Sequence, residues 1–130
     1  MSDEKEIRDL IAAYALALDV GDFEACLNLF ADDGEFMVYG KALSGEQIRE
    51  MFTRAPRGQH LCGATLVDLH GDEATARTQV LFINSSTHEL RSALYDDELV
   101  RNQGHWRFRR RKCQFLTAEG LSDSPQEERS

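Results

Sequence analysis

The sequence predicts an α+β domain in which three helices precede and pack into a strongly curved, mainly antiparallel sheet. Three observations carry this. Apolar residues recur at spacings of three and four up to about Arg54, and after Gly58 the period shortens to two. Turn signals at Gly71-Asp72, Ser85–His88 and Asn102-Gln103-Gly104 divide the second half into hairpins. The strands between those turns are long, so in a chain of 130 residues the sheet has to bend, and a bent sheet has a concave side that can hold a pocket.

The first helix is expected from Asp3 or Glu4 to Gly21. Its early acids suit the positive end of a helix dipole, and Ile7, Leu10, Ile11, Tyr14 and Leu18 form one apolar stripe. Asp22 caps a second helix with the stripe Phe23, Cys26, Leu27 and Phe30. Asp32-Asp33-Gly34 is a turn, and Glu35–Tyr39 is a short strand ended by Gly40. Ser44-Gly45-Glu46-Gln47 has the pattern of a capping box and opens a third helix to about Arg54, with Ile48, Met51 and Phe52 inward. Pro56-Arg57-Gly58 closes the helical part. Long strands are then expected at Gln59–Leu69, Glu73–Asn84, Leu90–Arg101 and His105–Thr117. Residues 1–117 read as a single domain, and residues 118–130 as a polar, mobile tail.

A net charge of -8 and a pI near 4.9 argue against nucleic acid or an anionic membrane as partner. No apolar run is long enough to span a bilayer, and the acidic start MSDEKEIRD does not read as a signal peptide, so a cytoplasmic protein is expected. Cys26, Cys62 and Cys113 are odd in number and read as buried free thiols. His60, His70, His88 and His105 lack the spacing of metal ligands, so no metal is expected.

Asp19 lies in the last turn of the first helix, four residues after Ala15, on the flank of the apolar stripe. A carboxylate there requires a partner or a role, although position alone also fits a surface acid. Tyr14 is inward by helical phase. Asn84 shares parity with Ala74, Ala76, Thr78, Val80 and Phe82, which directs it inward; it also fits a turn beside Ser85-Ser86. Tyr95 and Asp97 share parity with Ala93 and Leu99, and Asp97 reads more readily as a surface acid near the strand end. Alternation in Arg107–Lys112 places Arg107, Arg109 and Arg111 on one face, and Phe108, Arg110 and Lys112 on the other. A solvated face paired with Asp96, Asp97 and Glu98 is favoured; the alternatives are Arg111 entering the cavity to hold an anion, or arginines binding the phosphates of a carrier.

Taken in chain order, several landmarks resemble the SnoaL-like branch of the nuclear-transport-factor-2-like superfamily over roughly residues 5–117. They are Tyr14, Leu18-Asp19-Val20-Gly21-Asp22, Leu29-Phe30-Ala31-Asp32-Asp33, Gly45, Gln59-His60, Gly71-Asp72, Tyr95-Asp96-Asp97 and Gly104-His105-Trp106-Arg107. The resemblance implies a cone-shaped, cystatin-like α+β barrel. Scytalone dehydratase, hexachlorocyclohexane dehydrochlorinase and bile-acid dehydratase look most similar. Each uses an aspartate at the end of the first helix and a histidine opening the strand after the third, positions that match Asp19 and His60 here. Arg57-Gly58-Gln59-His60-Leu61-Cys62-Gly63 is also similar to the scytalone dehydratase pattern. A second dehydratase histidine falls at Asn84, an asparagine at Tyr95, tyrosines at Leu18 and Val38, and the dehydrochlorinase arginine at Arg111; Tyr39 is one residue off, nominally on the other face. The general base of ketosteroid isomerase falls at Val38, which excludes that proton shuttle.

The resemblance implies a cofactor-independent, dehydratase-like lyase or isomerase. His60 is the general base, oriented by Asp19, and the substrate is a small hydrophobic, cyclic or polyketide-like molecule. Tyr14, Asn84, Tyr95, Arg111, Leu18, Val38 and Phe82 are expected to line its pocket. The alternative is a non-catalytic binding or assembly module, like the β subunit of a ring-hydroxylating dioxygenase. Leu81 and Ile83 fall on the sheet face that the helices do not cover, so a homodimer or homotrimer is expected.

Overall fold

The computed structural model describes residues 2–125. The Ser2 hydroxyl accepts a hydrogen bond from the Lys5 amide at 3.1 Å and opens α1 (Asp3–Asp19), whose Ile7, Leu10, Ile11, Tyr14 and Ala15 are buried. Gly21, at φ 83°, makes the left-handed turn that follows. Asp22 then caps α2 (Phe23–Leu27) by accepting from the Ala25 amide at 3.2 Å. This helix is one turn shorter than its apolar stripe suggested, because Phe30 already belongs to β1 (Phe30–Val38). β1 turns back on itself through Tyr39-Gly40 into β2 (Lys41–Ser44), a strand the sequence reading lacked. α3 (Glu46–Arg54) follows, with Gly45 at its N-cap. Only half of the expected capping box forms, the Gln47 side chain accepting from the Ser44 amide at 3.1 Å.

The long strands are β3 (Gly58–His70), β4 (Glu73–Asn84), β5 (Leu90–Asn102) and β6 (His105–Thr117). They stand in the order β2-β1-β6-β5-β4-β3, antiparallel throughout except for the parallel pair β1–β6. A last strand, β7 (Gly120–Ser122), pairs with β6. Part of the segment expected to be a mobile tail is therefore a hairpin arm, while residues 126–130 lie outside the described residues. α1 packs against β3 and β6, so the helices fill the concave side of the curved mixed sheet. Among the described residues no helix is long and apolar enough to cross a membrane.

Two bulges set which side chains face that concave side. In β3 the register shifts between Cys62 and Thr65; His60, Cys62, Thr65, Val67 and Leu69 pair with Phe82, Val80, Thr78, Ala76 and Ala74. In β6 the register shifts where Glu98 faces Arg110 but Leu99 faces Phe108. Arg109 is the extra residue. The strict alternation read from the sequence therefore fails: Trp106 and Phe108 are buried before the bulge, Arg111 and Phe115 after it. Arg109 and Arg110 reach Glu98 on the outer side at 3.7 and 4.0 Å.

Candidate active site

The registers arrange the concave face in rows. His60, Phe82 and Arg91 form the row at the rim; Cys62, Val80, Ala93 and Phe115 the next; Thr65, Thr78, Tyr95 and Cys113 the third. Below them Asp97, Arg111 and Phe36 cross toward β1. Between the upper rows and the helices lies a cavity of about 140 Å³, walled by Leu18, Phe23, Val38, Phe52, Phe82 and Phe115 with Tyr14 and Tyr95 deep inside. That volume suits a single six-membered ring. Two larger hollows, of about 630 and 1040 Å³, carry charged side chains in their lining, Asp68, Arg77 and Lys112 in the first and Asp32, Asp33 and Arg109 in the second. Neither contains His60.

Asp19 and His60 meet at the cavity wall. The imidazole Nδ1 lies 2.7 Å from Asp19 Oδ1, and the His60 backbone N–H donates to the same carboxylate at 2.9 Å. A carboxylate only accepts, so Nδ1 carries the proton and Nε2 is left as the basic nitrogen. The two side chains are 17% and 18% exposed, so their bond is shielded while the ring still borders the cavity. The other face of the imidazole is held by Phe82, 4.8 Å between ring centres. Gly58 permits this closeness. A Cβ there would collide with the Ile83 carbonyl and lie 2.6 Å from the Phe82 ring.

Under the cavity sits a buried ion pair. Arg111 Nε and Nη2 donate to Asp97 at 2.9 and 3.2 Å, and both side chains are fully enclosed. The guanidinium is wedged among Tyr14, Tyr95 and Phe108, with Cζ at 4.4, 3.7 and 4.4 Å from their ring centres. Burial lifts the Asp97 carboxyl to about 6, against the downward pull of Arg111. Burial works against the guanidinium's charge, but Asp97 and the neighbouring tyrosine hydroxyls together outweigh it, so Arg111 stays charged. Burial also drives the Tyr14 and Tyr95 hydroxyls well above their ordinary range, so both remain phenols. The Cys113 thiol on the cavity wall is pushed up to about 11 by burial, which keeps it protonated.

Of the residues expected at the site, Tyr14, Leu18, Val38, His60, Phe82 and Tyr95 border the cavity, with Asp19 behind His60. Four expectations are corrected. Asn84 is a turn residue, its side-chain carbonyl accepting from the Ser86 and Thr87 amides at 2.8 and 3.1 Å. Arg111 does not line the cavity; it lies beneath the two tyrosines, paired with an Asp97 that is buried rather than superficial. Cys62 is likewise exposed, not buried. Sequence reasoning missed Arg57, Arg91, Tyr39, Cys113 and Phe115 as cavity residues. Cys113 and Phe115 follow from Arg111 once the bulge is known, and Tyr39 returns to the rim because it turns at φ 54° and packs against Phe115, tilted to its ring. Arg91 had no sequence signal beyond its register with Phe82.

No curated protein sequence matches this chain. Solved structures do. An NTF2-like protein with a cystatin-like fold from Novosphingobium aromaticivorans is 29% identical, with a TM-score of 0.80 over 91% of this chain and 86% of that one. A protein assigned as a scytalone dehydratase from the same organism is 23% identical, with a TM-score of 0.78 over 96% and 89%. A type 2 hexachlorocyclohexane dehydrochlorinase is 17% identical, with a TM-score of 0.77 over 96% and 93%. At those identities the last two likenesses concern the fold. A model of the SnoaL-like domain matches residues 1–112, which is the whole helical layer and most of the sheet, and the chain therefore belongs to the SnoaL-like domain family.

Proposed function

We propose that this protein is a cofactor-independent lyase or isomerase of the dehydratase type, with His60 as general base and Asp19 as the residue that orients it. The observation that carries the reading is the 2.7 Å contact from Nδ1 to Asp19, which leaves Nε2 basic beside an apolar cavity of ring size. The substrate is a small, largely apolar cyclic molecule. Its ring is held by Leu18, Val38, Phe52 and Phe82, and Tyr14 or Tyr95, kept as phenols, donate to a carbonyl oxygen.

In a dehydration, Nε2 takes a proton from the carbon next to the carbonyl. The C–H electron pair becomes the new double bond as the β-hydroxyl departs, and the imidazolium returns the proton to that oxygen, releasing water. Asp19 stabilises the imidazolium between the two transfers. Proton transfer by a placed base contributes roughly a hundred- to ten-thousandfold. The test uses 3-hydroxycyclohexanone, whose dehydration yields a conjugated enone seen by ultraviolet absorbance. Wild-type protein is expected to form the enone, His60→Gln to lose the rate and keep its fold, and Asp19→Asn to lose most of it. Enone formation as fast in His60→Gln as in wild type would leave the protein a binding module.

A further inference from the structure

We propose that the rim of the cavity is an anion subsite, formed by Arg57 and Arg91, and that the natural substrate is a ring compound bearing a carboxylate. This rests on the cavity being the ligand site proposed above and goes beyond it by naming the charge the ligand carries.

Both arginines border the same cavity as His60, from two sides. Arg91 shares a cross-strand row with the base, His60 facing Phe82 and Phe82 facing Arg91, so its Cα stands about 10 Å from that of His60, two strand spacings away. Arg57 lies three residues before His60, where α3 hands over to β3. Its guanidinium rests on the turn at Gly21, with Nη2 donating to the Asp19 carbonyl at 3.5 Å. Each guanidinium is steered by an aromatic ring that also lines the cavity: Arg57 by Phe23 at 5.7 Å and Arg91 by Phe115 at 5.8 Å.

Neither has an acidic partner. Among the described residues Arg8, Arg49, Arg77, Arg101, Arg109, Arg110 and Arg111 are all in ion pairs, whereas Arg54, Arg57, Arg91 and Arg107 are in none; of these four, Arg57 and Arg91 are the two that border the cavity. Asp19, whose backbone carbonyl Arg57 touches, has its carboxylate occupied by two N–H groups of His60. In a chain of net charge -8, two uncompensated guanidiniums at the mouth of the apolar cavity present the bidentate donors that a carboxylate takes. A ring seated between Phe82 and Val38 would place a carboxylate two or three bonds further out at this rim.

Isothermal titration of the full chain with cinnamate and with neutral cinnamamide separates charge from shape. Cinnamate is expected to bind at least about tenfold more tightly, the difference shrinking as salt is raised. In the Arg57→Gln/Arg91→Gln double variant the preference should vanish while affinity for the amide and the melting temperature hold, since both side chains are exposed and outside any ion pair. Equal binding of acid and amide by wild type, binding of neither, or a preference that survives in the double variant would overturn the subsite. Because 3-hydroxycyclohexanone is neutral, a failed dehydration leaves this result standing, and a successful one does not supply it.

Discussion

Asp19 holds two things at once, the backbone N–H that starts β3 and the ring that it turns toward the cavity. Asp19→Asn therefore weakens more than the proposed catalysis: the loss of a charged acceptor for the His60 amide should cost about 1–2 kcal/mol in denaturant unfolding. This pair was legible in the sequence because helical phase put Asp19 on the inward flank and the pattern around His60 carried a resemblance. Arg111 and Asp97 were legible as residue types but not as partners. Arg111→Met strands a buried carboxylate and should destabilise by roughly 3–5 kcal/mol, whereas adding Asp97→Leu should restore much of the loss. The same pair has a pH signature. Asp97 rises from its ordinary 3.8 to about 6 in the fold, so the folded state favours its protonated form. Its contribution to stability is complete below 3.8 and is lost as pH rises through about 6. Melting temperatures across that window should decline in wild type relative to the Arg111→Met/Asp97→Leu variant, which lacks the group.

The helices and long strands were legible because each satisfies a clear period and is bounded by turn residues. What periodicity could not supply was the pair of bulges. One extra residue at Arg109 reverses inside and outside for the rest of β6, and nothing in the alternation of arginines announces it. β7 was missed for a different reason, as Gly120–Ser122 is too short to show a pattern and owes its form to pairing with Phe115–Thr117. Asn84 had the right parity for the cavity but stands at the last position of β4, where a turn captures its side chain. The close approach of β3 and β4 depends on Gly58. Gly58→Ala should cost about 1–3 kcal/mol through the clash with Ile83 and Phe82, and should also slow turnover because Phe82 supports the His60 ring. Chemical denaturation and the enone assay on this one variant read both effects.

The sheet leaves one face uncovered by helices. On it Leu61 faces Leu81, and Ile83 faces Leu90, with Leu61 45% and Leu90 65% exposed. We propose that this patch is the contact between copies in a homodimer or homotrimer. Sedimentation equilibrium at micromolar concentration should give the mass of an oligomer, and Leu61→Lys/Leu90→Lys should shift it toward monomer; a monomeric wild type would contradict this. The opposite, concave face carries the proposed site, with a charged rim, an apolar middle and an ion-paired floor. The central claim is that His60 removes a proton from carbon within that cavity. Deuterium exchange next to the carbonyl of cyclohexanone, followed by proton NMR in heavy water, tests it most directly, since no leaving group is involved. Wild type should exchange on the order of a hundredfold or more faster than His60→Gln, with Asp19→Asn between them. Equal rates in wild type and His60→Gln would contradict the claim.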